Sequence, residues 1–143
     1  MVNKSGFTLV ELIVVVALLT IIATTAAVFN SQWYLQNNLE SAKNMMISSI
    51  RKAQSYSISK KNGLTWGVCL TGKTIRMFGG SCASPTIKDD YNLPNNVSIT
   101  GLSTVTFSLF RGEPNSSQNI NISGNNKIYN LIINSAGGIN VNQ

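Results

Sequence analysis

An acidic side chain set in an apolar run is the residue of this chain with the most chemistry to explain. Glu11 is the fifth residue of an otherwise uncharged stretch, residues 7–29, that reads FTLVELIVVVALLTIIATTAAVF. A carboxylate held in hydrocarbon costs roughly 2.5–3.5 kcal/mol on insertion scales. A segment that served only as an anchor would do better without it, so Glu11 is expected to have a cationic partner. No Lys or Arg lies between Lys4 and Lys43, which excludes neighbouring side chains of the same segment. A free amino terminus, created by a cut just before Phe7, would supply the charge.

The remaining reactive groups are few. There is no histidine, so no Ser-His-Asp or Cys-His arrangement exists and the commonest general base is missing. Outside the apolar run the acids are Glu40, Asp89, Asp90 and Glu113. Asp89 and Asp90 offer clustered oxygens of the kind that hold calcium, but a solvated loop corner is the reading preferred for them. Two cysteines without histidine are too few for a structural zinc site. No catalytic residue, metal or cofactor is expected, and the chain reads as a non-enzyme.

The elements that carry these groups follow from length and pattern. The chain has 143 residues, enough for one small domain beyond the apolar run. At 1.5 Å per residue the run is about long enough to cross a hydrocarbon core of roughly 30 Å. Lys4 on its short side predicts a cytoplasmic amino terminus and an exported remainder. The net charge of +6 is modest and dispersed. It would favour an anionic partner but does not by itself make a nucleic-acid interface.

Beyond the run, Leu35, Leu39, Ala42, Met46, Ile50 and Ala53 recur at three- and four-residue steps with polar residues between them. That spacing predicts one helix from residue 7 to about 61, whose second half lays an apolar stripe on a sheet. Lys60 and Lys61 are expected in its last turn, with Gly63 as the C-terminal cap. The period then becomes alternating. Residues 64–70 and 73–78 read as a hairpin around Thr71-Gly72. Residues 84–96, with Pro85 and Pro94, read as a loop. Strands are predicted at 97–100, 104–110, 118–123, 127–134 and 138–141, making six or seven in one or two antiparallel sheets. The Asn and Ser enrichment past residue 92 reads as turn chemistry and solvated surface.

Cys69 and Cys82 both fall in the exported part. An even pair in an oxidising compartment suggests a disulfide worth about 3 kcal/mol in the chain-entropy model. The alternative is one buried and one exposed free thiol.

Lys4-Ser5-Gly6 followed by Phe7-Thr8-Leu9-Val10-Glu11 resembles the amino-terminal signature of type IV prepilins and pseudopilins, a likeness that holds over residues 4–22. It implies that prepilin peptidase cuts between Gly6 and Phe7 and methylates the new Phe7 amine. It also implies that Glu11, the family's glutamate at the fifth mature position, acts in assembly. The implied organisation is a leader at 1–6, a transmembrane or filament-core segment at 7–29, and a periplasmic or extracellular domain at 30–143. The implied fold is α+β and pilin-like, one long amino-terminal helix packed on a small antiparallel sheet domain. The implied partners are other pilin or pseudopilin subunits, the peptidase and an inner-membrane assembly platform. The location is the inner membrane, single-pass, and then a periplasmic or cell-surface filament of a pilus or a type II secretion system.

Three further stretches resemble the H-type minor pseudopilins and the FimT-like minor pilins. They are the helix end at 49–55 with Lys60-Lys61-Asn62-Gly63, the segment 106–114, and Gly137-Gly138-Ile139 before the last strand. The likeness implies a minor subunit that primes or tips a filament. Some FimT-like members take part in DNA uptake through a basic tail. A pilus-tip module that binds DNA or a surface is the alternative reading; residues 139–143 hold no Lys or Arg, so the tail lends a nucleic-acid partner no support.

Overall fold

In the computed structural model the described residues are 8–143, with only the backbone described for 25–31. The chain divides into two compact units, one ending at Tyr34 and the other Leu35–Gln143. Helix α1, Leu9–Ile58, contributes to both. The fold is α+β, as expected: a long amino-terminal helix followed by antiparallel sheets.

Within the second unit, α1 buries the anticipated stripe. Leu39, Ala42, Met46, Ile50 and Ala53 are fully buried, while Leu35 is only half-buried. The same stripe holds two buried serines that apolar periodicity does not reveal, Ser49 and Ser57. Ser49 Oγ satisfies itself by donating to the Met45 carbonyl. Ser57 does more, because its Oγ accepts the Trp66 N–H at 3.1 Å and so joins the helix end to the first strand.

The helix does not end as its sequence suggests. No basic residue lies in the last turn of α1. Lys60 adopts a left-handed conformation at φ 50°, and a short 3-10 turn, Lys61–Gly63, follows. Lys60 thus takes the stopping position assigned to Gly63, and Gly63 at φ 67° closes the extra turn. The Lys61 carbonyl accepts the Leu64 N–H at 3.3 Å and also the Trp66 indole N–H at 3.0 Å, which ties the 3-10 turn to the first strand.

Eight strands follow among the described residues: β1 (Trp66–Thr71), β2 (Thr74–Gly80), β3 (Pro85–Asn92), β4 (Ser98–Thr100), β5 (Val105–Thr106), β6 (Gln118–Gly124), β7 (Lys127–Ile133) and β8 (Ile139–Asn142). Sheet A has the order β3-β2-β1-β5 and sheet B the order β4-β6-β7-β8. All pairings are antiparallel. The β1–β2 hairpin turns at Gly72, φ 60°. The β6–β7 hairpin turns through Asn125 and Asn126, both at positive φ, as a tight two-residue loop with right-handed flanking strands requires.

Two assignments need correction. Residues 84–96 are not simply a loop, because β3 runs through them. Its sequence PTIKDDYN lacks apolar alternation because it is an edge strand fixed by charge rather than by burial. Pro85 stands at its first residue, where a missing N–H breaks no ladder. Conversely, the alternating 104–110 segment keeps only Val105 and Thr106 as strand. Past Phe107 the chain folds back on itself: Ser108 N–H donates to the Glu113 carbonyl at 2.8 Å and Phe110 stands at φ 70°.

One core joins these parts. The α1 stripe meets Trp66, Val68, Ile75 and Met77 of sheet A and Ile120, Ile122, Leu131 and Ile133 of sheet B. Cys69 and Phe78 are also buried but sit on the opposite face of sheet A, by the alternation of β1 and β2. A β-carbon on Gly67 would meet the Val105 carbonyl at 2.4 Å and Cζ of Phe78 at 2.7 Å, so the strand and the ring tip both need a glycine there. Cys69 is bonded to Cys82 across a separation of 13 residues, so the disulfide reading holds. The bridge ties the β2–β3 connection over this second face. Replacing both cysteines by alanine is expected to lower unfolding free energy by about 3 kcal/mol, measured by urea denaturation of the oxidised wild type against the variant. Equal midpoints would remove the bridge as a stabilising element.

Candidate functional site

The amino-terminal unit is built around the start of α1. Thr8 precedes the helix and caps it, its Oγ1 accepting the Glu11 N–H at 3.3 Å. Its carbonyl accepts the Leu12 N–H at 3.2 Å. Thr8-Leu9-Val10-Glu11 is therefore a capping-box pattern, with an acid in the first turn where the helix dipole favours it. The Thr-x-x-Glu spacing that makes this cap is plain in the sequence.

Downstream of Glu11, apolar side chains occupy every face of the helix. Leu12, Ile13, Leu18, Leu19 and Ile22 are all more than half exposed in the isolated chain, as is Leu9 before Glu11. Thr20 and Thr24 return their hydroxyls to the carbonyls of Ala17 and Ile21, at 2.7 and 2.9 Å, so neither needs water. A helix apolar on all sides belongs inside a larger apolar body, either a helix assembly or lipid. Among the described residues no helix is long and apolar enough to cross a membrane. The expected span 7–29 includes Phe7 and side chains that lie outside the described residues. Gly6 and Phe7, the expected cleavage and methylation positions, also lie outside them, and so does any pairing of Glu11 with the Phe7 amine. Glu11 itself is exposed.

In the second unit the acids are engaged singly. Asp89 and Asp90 are strand neighbours, not a loop corner, and they point to opposite faces of β3. Asp89 pairs with Lys52 of α1. Asp90 accepts from Arg76 Nε at 2.8 Å and Nη2 at 3.1 Å, with Lys88 Nζ at 3.2 Å. Arg76 is its cross-strand partner. The Arg76 guanidinium, helped by Lys88, holds the Asp90 carboxyl at about 2, below its ordinary 3.8. Glu40 of α1 is held below the ordinary carboxylate range, first by Lys43 and then by the Tyr129 hydroxyl that donates to it. Among the described residues no three His, Cys, Asp or Glu side chains gather as a metal site.

A second feature escaped sequence reasoning. The loop 108–112 presents Phe110, 65% exposed, with the Lys60 ammonium 4.2 Å from its ring centre. It is braced from beneath by Gln54, whose Nε2 donates to the Gly112 carbonyl at 2.9 Å, and by Phe110 N–H donating to the Ser57 carbonyl at 3.3 Å. A strand prediction for 104–110 hides such a turn.

Residues 1–27 match the prokaryotic N-terminal methylation motif, the signature of type IV pilins and pseudopilins. No curated protein matches the chain, and no solved structure matches it. The motif implies a precursor anchored in the membrane that then enters a filament, with prepilin peptidase and other pilin subunits as partners. It points to a structural subunit.

The ion pair on β3 makes a pH prediction. Because the folded-state value of Asp90 lies below its ordinary one, its contribution to stability is full above about 3.8 and is lost as pH falls toward about 2. The carboxyl carbon resonance of Asp90 is expected to titrate near 2 in the wild type and to move back toward 3.8 in Arg76→Ala. The same midpoint in both proteins would refute the pairing.

Proposed function

Proceeding from the pilin and pseudopilin signature over residues 1–27, we propose that the chain is a minor pilin or pseudopilin, a structural or priming subunit of a type IV pilus or of a type II secretion pseudopilus. The observation that carries this reading is the methylation motif running straight into a capped helix that is apolar on every face. Prepilin peptidase cuts between Gly6 and Phe7 and methylates the Phe7 amine. The membrane-held precursor, its amino terminus cytoplasmic and its β-rich unit exported, is then drawn into a filament by an inner-membrane assembly platform.

Packing of the apolar helix among its counterparts supplies the bulk of the association. Glu11 supplies the register. In a low-dielectric helix bundle an unpaired carboxylate is costly and a paired one is tolerated. A subunit that seats Glu11 against a Phe7 amine, its own or a neighbour's, is therefore favoured over one shifted along the axis. The stretches at 49–55, 106–114 and 137–139 resemble the H-type and FimT-like minor subunits and support a minor role. The exported compartment suits the Cys69–Cys82 bridge.

Co-expression with a prepilin peptidase is expected to yield a product beginning at N-methyl-Phe7, read by intact mass and amino-terminal sequencing. A chain retaining residues 1–6, while a control prepilin is cut, would overturn the proposal. Gly6→Val is expected to leave uncut, unassembled precursor, seen as a gel mobility shift. Glu11→Ala is expected to be processed normally but recovered in sheared filaments at less than about a tenth of the wild-type level, matching loss of a pairing worth about 1.4 kcal/mol or more. Normal incorporation of that variant would remove the register role.

A further inference from the structure

Sheet B has two faces of opposite chemistry. Ile120, Ile122, Leu131 and Ile133 turn into the core. The alternate residues form rows across the strands on the outer face. Thr100 stands opposite Asn121, Asn121 opposite Asn130, and Asn130 opposite Asn142. The next row holds Asn119, Ile132 and Asn140. On the other side lie Ser98, Ser123 and Ile128, the two serine hydroxyls bonded to each other at 2.8 Å. Strand spacing of about 4.8 Å sets the step from one amide to the next.

Turn chemistry does not explain this composition. Residues 115–143 contain nine asparagines and a single charged residue, Lys127, in a chain of net charge +6. Asn125 and Asn126 form the β6–β7 turn, and Asn134 Oδ1 accepts the N–H groups of Ala136 and Gly138 in another. Asn115 bonds the backbone of Thr104 and Thr106, and the remaining five, named above, occupy strand positions, where asparagine is disfavoured.

Two buried side-chain polar atoms have no hydrogen-bond partner among the described residues, Asn121 Oδ1 and Asn96 Nδ2. Asn121 lies in the central row. Asn96 lines a cleft of about 490 Å³ with Ser98, Ser123, Asn125, Lys127 and Ile128, so the cleft continues the outer row of the face. Both residues border one continuous polar surface, while the two unpartnered atoms themselves lie beneath it.

We propose that the outer face of sheet B and the adjoining cleft bind a neutral polysaccharide chain. Each amide brings two donors and a two-lone-pair acceptor, and each serine or threonine hydroxyl is both donor and acceptor. Sugar hydroxyls have the same dual character. Exposed Ile128 and Ile132 offer aliphatic patches to the C–H faces of sugar rings. Near-neutrality disfavours an anionic partner, which the basic residues elsewhere would suit better. The repetition of amides across several strands fits an extended, repeating ligand rather than a single small molecule. The proposal rests on sheet B alone and stands whether or not the chain assembles into filaments.

The test uses the full chain in a non-glycosidic zwitterionic detergent, mixed with amorphous cellulose and with insoluble chitin and scored by depletion from the supernatant. Retention on at least one of them is expected, unchanged between low and molar salt. Asn121→Ala with Asn130→Ala and Asn142→Ala is expected to weaken it at least about tenfold, the loss of roughly one net hydrogen bond. Because Asn121 is partly buried, Asn119→Ala with Asn140→Lys gives a second variant at exposed positions and is expected to act in the same direction. Circular dichroism melting verifies the fold of each variant. No retention on either polymer, retention abolished by salt, or retention unchanged in both variants overturns the proposal. So does a wild-type dimer in analytical ultracentrifugation that Asn140→Lys dissociates while retention persists, which would assign the face to a second copy of the chain.

Discussion

The burial pattern of one helix sets the terms for everything else in this chain. In its first part α1 is apolar on every side, and in its second only the stripe Leu39-Ala42-Met46-Ile50-Ala53, with Ser49 and Ser57 beside it, is buried. A stripe of that width covers about one face of a helix, and two four-stranded sheets share it. Each sheet can therefore bury only one of its faces against α1, and the outer faces must be handled differently. Polar contacts fix where the sheets attach. Ser57 holds β1 through the Trp66 amide, and Glu40 holds β7 through the Tyr129 hydroxyl, with Lys43 4.5 Å from the centre of the same ring. The two anchors lie near opposite ends of the stripe.

The outer faces show two solutions. On sheet A the face is partly covered by its own chain. Phe78 lies over Gly67, Cys69 bonds to Cys82, and the Arg76–Asp90 pair closes the edge toward β3. The edge strand β3, rich in charge and opened by a proline, is also the kind of edge that resists pairing with another chain. On sheet B no such cover is built among the described residues, and asparagine and serine occupy the positions that apolar residues take on the inner face. A solvated β-face is commonly made of charged residues and threonine. That this one is nearly uncharged in a basic chain is a compositional choice that solubility does not require.

How much of this could be read in advance follows from which force fixes each part. Helix α1 and its buried stripe were legible because apolar periodicity is set by burial, and burial is what positions them. The β1–β2 and β6–β7 hairpins were legible because Gly72 and the Asn125-Asn126 pair supply positive φ where a tight turn needs it. Strand β3 was not, since its partners are Arg76 and Lys52, distant in sequence, and no local pattern announces them. The turn at 108–112 was misread because Val105 and Phe107 alternate correctly, whereas Phe110 is held at φ 70° by contacts with residues more than fifty positions earlier. At the amino terminus, the residues leading to Glu11 are part of the methylation motif matched over 1–27. The cap from Thr8 was equally visible, but it was outweighed by the question of what neutralises Glu11.

That question can be decided on magnitudes. A first-turn acid gains typically 0.3–1 kcal/mol from the helix dipole, and a threonine cap contributes about 1 kcal/mol whether or not the acid is present. Neither matches the roughly 2.5–3.5 kcal/mol that a carboxylate costs in hydrocarbon. Local helix chemistry thus accounts for an acid at this position on a solvated helix. It does not account for one at the head of a segment whose every other face is apolar. For a segment held in hydrocarbon the shortfall of about 2 kcal/mol would have to be met by a further partner, and a cation that also satisfies the carboxylate's hydrogen bonds would be the efficient source. Among side chains none is near in sequence, because the next basic residue after Lys4 is Lys43. A new amino terminus at Phe7 would place an ammonium on the same helix end, one turn before Glu11. The dipole that favours the acid there disfavours that ammonium, so it is the carboxylate's charge that would hold the ammonium at this helix end.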